Sequence, residues 1–171
     1  MELAKLNDRD LFRLSAKVTR RWRAMEMKLL SEMGCADLSF RPCTGMSSLG
    51  WVLAHQAAVY DFSLNMLIRQ SKPKNPKLFA LYAPGTSGDW AGTSAQEIQD
   101  YYDDAEEDFL HWIDSTTEED LERKIEEGTA PSFFVGMTVR EVVANAFAHL
   151  NYHTGHLAPI RKDWQKTRVQ S

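Results

Sequence analysis

The chain has 171 residues, 43% of them hydrophobic and 26% charged, which suits one globular domain able to bury its own core. Its net charge of −4 argues against a general nucleic-acid or polyanion binder, and its basic residues are scattered. Arg20, Arg21 and Arg23 near Glu26, and Arg161 and Lys162 near Asp163, read as solvated helix faces.

The opening MELAKLNDRD lacks the apolar segment of a signal peptide, and no apolar run approaches membrane-spanning length. The cytoplasm is therefore the expected compartment. Cys35 and Cys43 are the two cysteines, and two free thiols are the expectation in a reducing compartment. They form no Cys-x-x-Cys pair for zinc or redox work.

The first predicted helix runs from about Asp8 to Met33. Leu11, Leu14, Val18, Trp22, Met25, Leu29 and Leu30 recur at spacings of three and four, which predicts that this face is buried. Asn7 is its expected cap and Gly34 its expected stop. The second helix is predicted from Ser48 to Ser71, before Pro73. It carries two apolar stripes: Leu49, Leu53, Ala57, Tyr60, Leu64 and Leu67 on one side, and Trp51, Val59, Phe62 and Met66 on another. A helix apolar on two sides is enclosed or meets a partner.

Residues 72–93 hold Pro73, Pro76 and Pro84 with Gly85, Gly88 and Gly92, and read as a long connection. Phe79, Leu81, Tyr82 and Trp90 are expected to tack it to the bundle. The third helix begins at Ser94, with Glu97 at capping-box spacing. Ile98, Tyr101, Tyr102, Ala105, Phe109, Trp112 and Ile113 carry its apolar pattern to about Asp114. A helical turn follows, with Thr116 and Glu119 as a second capping box, and 129–137 reads as a loop or short strand. Thr138 and Glu141 open the fourth long helix, whose core stripe is Val139, Val143, Ala146, Phe147, Leu150 and Leu157. Four long amphipathic segments and little strand signal predict an all-α fold: a single domain over 1–171, an up-down four-helix bundle with one long crossover between helices 2 and 3.

Three of the five histidines, His149, His153 and His156, lie within eight residues of the last helix. Their spacing of four and then three sets them in one row on the flank of the core stripe, between Val142 and Ile160. Two histidines at i and i+4 can share a metal ion, or can simply be packed and hydrogen-bonded. A third ligand from elsewhere decides between these readings. His55 is the candidate, because it lies between Trp51 and Val59 on an apolar stripe, where an ionisable group must be partnered or liganded. His111, beside Glu107 and Asp108, is expected to face water. Zincin, Glu-x-x-His di-iron, nucleophile-elbow and Walker motifs are all missing. The aromatic run on the third helix reads as core. Asp61 and Tyr152 are possible acid/base helpers to which the sequence assigns no role.

Two separated segments carry a family resemblance: LSFRPCTGMSSLGWVLAHQAAVYDF at 38–62 and TVREVVANAFAHLNYHTGHLAPIR at 138–161. With TTEEDLERKI between them, they resemble the DinB/YfiT-like superfamily of four-helix bundles over most of the chain. The resemblance implies a site for a divalent metal, usually nickel or zinc, on His55, His149 and His153. It also implies thiol-dependent chemistry, as in relatives that join a low-molecular-weight thiol to an electrophile, and a homodimer, which the paired stripes of the second helix favour too. On this reading the chain is a metal-dependent transferase or hydrolase with a small-molecule substrate. The alternatives are a non-enzymatic metal- or ligand-binding stress-response protein, or a bundle with packed histidines. His156 stands where the family pattern has glutamine; a supporting hydrogen-bond donor, a proton shuttle and a fourth ligand are its open roles, and with Pro159 close behind it is not expected to be a primary ligand. Pro159 is expected to kink or end the helix nearby.

Overall fold

The computed structural model describes residues 7–35 and 37–169. Most of the MELAKLNDRD opening lies outside them. Among the described residues the chain forms six α-helices: α1 (Asp8–Glu32), α2 (Leu49–Asp61), α3 (Pro76–Tyr82), α4 (Ala95–Ser115), α5 (Glu118–Glu122) and α6 (Val139–Val169). A π-helical stretch, Phe62–Ile68, continues α2, and a 3-10 turn covers Ser132–Phe134. Among the described residues the strand content is one isolated bridge, Lys124 to Thr138. None of these helices is long and apolar enough to cross a membrane.

α1 starts and stops as its sequence predicts. The Asn7 side chain accepts from the Asp10 amide, and Gly34, at φ +69°, turns the chain just past the end, where a side chain would be strained. Except at Leu30, which is buried as predicted, the face it buries is not the predicted one. Leu11, Leu14, Val18, Trp22 and Met25 remain 40–54% exposed, while Phe12, Ala16, Thr19, Arg23, Glu26 and Leu30 are buried. The physical reason lies in partners far along the chain. Arg23 donates to the Leu53 carbonyl and the Gln56 side chain, and its guanidinium sits 3.6 Å over the Tyr102 ring. Glu26 receives Arg161 Nε at 3.1 Å. Arg20 pairs with the buried carboxylate of Glu106. Arg23 and Arg161 are thus not on solvated faces, as their sequence neighbours imply. A buried ion that is paired and hydrogen-bonded can sit in a core that hydropathy alone would deny it.

α2 is capped by Ser48, which accepts from the Trp51 amide, and every residue from Leu49 to Asp61 is buried. Its first stripe is buried throughout, and the second is buried at Trp51 and Val59 but half-buried at Phe62 and Met66. The helix does not stay α-helical to Ser71: it passes into the π-helical segment, and Gln70 follows at φ +51°. The 72–93 connection is not all loop either. Asn75 caps α3 with Pro76 in its first turn, and Leu78 and Tyr82 are buried. Leu81 stays exposed and does not anchor the segment. Asp61 does anchor it, accepting from the amides of Lys74 and Asn75 and from the Tyr101 hydroxyl.

α4 carries the expected Ser94–Glu97 capping box. The next box is one residue later than predicted, at Thr117 and Asp120. Thr116 is buried as the C-cap of α4, which leaves the cap of α5 to its neighbour. The Thr138 and Glu141 side chains cap α6 reciprocally, and its predicted core stripe is buried throughout. The helix runs ten residues past Pro159. Buried Ile160, the Arg161–Glu26 pair and Trp164 edge-on to Phe40 hold that second half against the bundle.

Contacts fix how the helices pass one another. Asp8 with Arg140, Thr19 with Asn151 and Glu26 with Arg161 set α1 and α6 side by side in one direction. Trp51 near His153 and Tyr60 near Phe147 set α2 antiparallel to α6.

Candidate metal centre

Antiparallel packing of α2 on α6 brings His55 against His149 and His153. His149 Nε2 lies 3.2 Å from His55 Nε2 and 2.9 Å from His153 Nε2, and one ligand atom from each ring lies within 4.8 Å of the others. His55 and His153 are buried, and His149 is half-buried. His111 is exposed, as expected.

The tautomer of His55 is set by the backbone. Its Nδ1 is 2.6 Å from the Tyr82 carbonyl. A carbonyl can only accept, so Nδ1 carries the proton and the neutral ring presents the Nε2 lone pair to the other two histidines. Trp51, one turn earlier, stacks on the same ring at 4.2 Å between centroids and 12° between planes. The Trp51 indole donates to Thr86 Oγ1 at 2.9 Å. One face and one edge of His55 are therefore fixed by α2 itself and by the end of α3 and the turn after it.

Burial keeps the three rings uncharged. It lowers His55 to about 4, with the nearby His149 adding to the effect and the Tyr82 bond opposing it. His153 is depressed further, first by burial and then by its histidine neighbours. His149 is lowered by burial and by His156. Near neutral pH the cluster is three neutral imidazoles whose Nε2 atoms converge. Such an arrangement suits a divalent cation. Tetrahedral bonds of about 2.0–2.1 Å to nitrogen separate the ligand atoms by roughly 3.3 Å, close to the observed spacings. His153 Nδ1 is buried with no hydrogen-bond partner.

A second layer ties the two ligand helices together. Gln56 donates to Thr154 Oγ1 at 3.1 Å, linking the residue after His55 to the residue after His153. Arg23 holds the other end of the Gln56 amide. His156 is outside the cluster: its ring packs at 4.3 Å against Tyr152 and at 5.2 Å from His153. Tyr152 is exposed at the rim. Asp61 is committed to the 74–75 amides and Tyr101, and takes no part in the histidine cluster.

The sequence pointed to all three clustered histidines. It did not point to Tyr82, whose contribution is a backbone carbonyl that leaves no residue-type signal. The Gln56–Thr154 link was also missed, although each residue directly follows a candidate histidine.

Comparisons with known proteins agree with this architecture. A crystal structure described as a conserved protein from Enterococcus faecalis superposes with a TM-score of 0.67 at 20% identity, covering 88% of this chain and 95% of that one. That likeness concerns the fold. No curated protein matches the chain. The family model described as the DinB superfamily matches residues 18–157, a span that includes all three clustered histidines, and the chain belongs to that superfamily.

Proposed function

We propose that the protein is a divalent-metal-dependent enzyme acting on a small electrophilic substrate, by thiol transfer or hydrolysis, with His55, His149 and His153 as its metal ligands. The observation that carries this reading is the convergence of three neutral Nε2 atoms, one of them oriented by the Tyr82 carbonyl. Three histidine nitrogens leave coordination positions open, as catalytic rather than structural sites do. A bound divalent ion, nickel or zinc by the family resemblance, would lower the pKa of a thiol or water and supply a nucleophile at neutral pH.

The chain's own residues bind and orient. Trp51 and Tyr82 fix the His55 plane and tautomer, and Gln56 with Thr154 holds α2 to α6. The thiol would come from a cosubstrate: Cys35 is buried away from the cluster and Cys43 belongs to no ligand group. The 72–93 segment is read as the crossover that covers the site, supported by the contacts of Tyr82 and Thr86 with His55 and Trp51.

Elemental analysis of untagged protein, together with the His55→Ala and His153→Ala variants, tests the ligand set. The expected result is about one divalent ion per chain, lost in both variants while the helical spectrum persists. Wild-type protein that takes up no divalent ion sinks the reading. Turnover with added low-molecular-weight thiol and an alkyl electrophile separates an enzyme from a metal-binding accessory protein.

A further inference from the structure

We propose that the cleft between α1 and α4 binds a small α-amino acid with an apolar side chain, its carboxylate on Arg23 and its ammonium on Asp103 and Glu107. The cleft has a volume of about 730 Å³, within the range of small-molecule sites. The three clustered histidines are not among its lining residues, so it is a site apart from theirs.

Arg23 carries the inference. It is 5% exposed and lines the cleft. A guanidinium has five N–H donors. The two on Nη1 go to the Leu53 carbonyl and the Gln56 side chain. The Nε–H and the two Nη2–H donors have no acceptor among the described residues. One face of the group stacks 3.6 Å over the Tyr102 ring, which leaves the Nε/Nη2 edge open. That edge presents two parallel donors, the pair a carboxylate takes bidentately. A buried cation with idle donors is costly until an acceptor reaches them. Glu106 is not that acceptor. Its Oε2 takes Arg20 Nε and Nη2 at 3.0 and 2.7 Å, and its Oε1 faces the Tyr60 and Tyr102 hydroxyls at 3.3 Å. The Arg20–Glu106 pair is locally neutral and leaves the Arg23 charge over.

The α4 wall has the opposite sign. Asp103 and Glu107, one turn apart, line the cleft and are exposed. Asp103 accepts from the neutral Gln99 amide, and neither acid has an ion-pair partner among the described residues. The third acid of that wall, Asp114, is taken by Arg13. Burial lowers the pKa of Arg23, and Tyr102, Glu106, Tyr60 and Asp103 oppose this through space. Asp103 is thus near enough to Arg23 for one small molecule to meet both. A simple anion on Arg23 would face two unpaired acids, and a simple amine on the acids would leave Arg23 open. A zwitterion answers both charges. Ala24, Met27 and Leu110 supply the apolar lining for its side chain.

Isothermal titration of the full, chelator-treated chain with L-leucine tests the proposal, so its outcome is independent of the metal reading. A Kd of about 1 mM or tighter is expected. Isocaproate and isoamylamine, which each lack one of the two charges, should bind about tenfold weaker or worse. The Asp103→Asn/Glu107→Gln double variant, at exposed positions, should lose about tenfold with unchanged helical content. Arg23→Gln should lose at least as much, and Leu110→Trp, which fills the cleft, should abolish binding. No binding of L-leucine or L-phenylalanine at about 10 mM overturns the proposal. An analogue with a single charge that binds as well as L-leucine also overturns it. Should Arg23→Gln fail to fold, undiminished binding by the double variant or by Leu110→Trp overturns it on its own.

Discussion

The Nδ1–H of His55 is held by the carbonyl oxygen of Tyr82 at 2.6 Å, so a peptide group rather than a side chain chooses the tautomer of the buried histidine. This makes an asymmetric prediction. His55→Ala should abolish metal uptake. Tyr82→Phe should leave it within about threefold, because the carbonyl survives. The Phe variant loses the hydroxyl's bond to Thr93 Oγ1 and its weak bond from the Ala91 amide, costing about 1–2 kcal/mol of stability. Metal titration of both variants checks it. Metal binding lost in Tyr82→Phe would overturn the assignment of the carbonyl as the orienting group.

Acid should destabilise the metal-free protein in a defined window. His55 titrates near 6.5 when unfolded and is lowered to about 4 when folded. Between those values the unfolded chain binds more protons, so stability falls as the pH drops. His55 alone accounts for up to about 3 kcal/mol, fully present above pH 6.5 and lost by pH 4. His149 and His153 shift in the same direction and deepen the effect. Urea midpoints of chelator-treated protein between pH 7 and pH 4 measure it. The slope should shrink in His55→Ala.

Substitutions on α1 should sort by the observed burial rather than by hydropathy. Arg23→Ala removes a buried cation from Gln56, the Leu53 carbonyl and the Tyr102 ring. The expected cost is about 3 kcal/mol. Leu14→Ser, at a 54% exposed position, should cost under about 1 kcal/mol of protomer stability. Denaturation measured at concentrations low enough to exclude association compares the two, and the reverse order would place the wrong face in the core.

Asp61→Ala should loosen the connection between α2 and α3 without touching the metal ligands. Its carboxylate is the common acceptor for Lys74 N, Asn75 N and the Tyr101 hydroxyl. Loss of these bonds should cost about 2–4 kcal/mol and expose the 72–76 stretch to limited proteolysis. Metal stoichiometry should stay at the wild-type value. A variant of normal stability and normal proteolytic resistance that had lost turnover would instead return Asp61 to the chemistry.

What the sequence made legible was local. Asn7, the Ser94–Glu97 box and the Thr138–Glu141 box are read from spacing alone, because each motif closes its hydrogen bonds within one turn. His55 stood out because it interrupts an apolar stripe. The orientation of α1 was misread for the converse reason. Arg23 and Glu26 are made core residues by Gln56, Tyr102 and Arg161, which are 33 to 135 positions away. No periodicity within one helix encodes such partners. The π-helical end of α2 and the carbonyl of Tyr82 are backbone events, invisible to residue type.

The ligand set also has a bearing on when a metal ion can be acquired. His149 and His153 are neighbours on a single helical turn, whereas His55 is 94 positions away from His149. A chain leaving the ribosome can offer no more than a loose two-imidazole chelate, and it offers the third nitrogen only once α2 has docked on α6. On the proposed ligand set, an ion would therefore be a poor template for folding and a faithful reporter of its completion. Misassembled copies, lacking the antiparallel register of these two helices, would compete weakly for scarce metal. On that proposal, topology would direct the cell's supply to the molecules that have already found their native form.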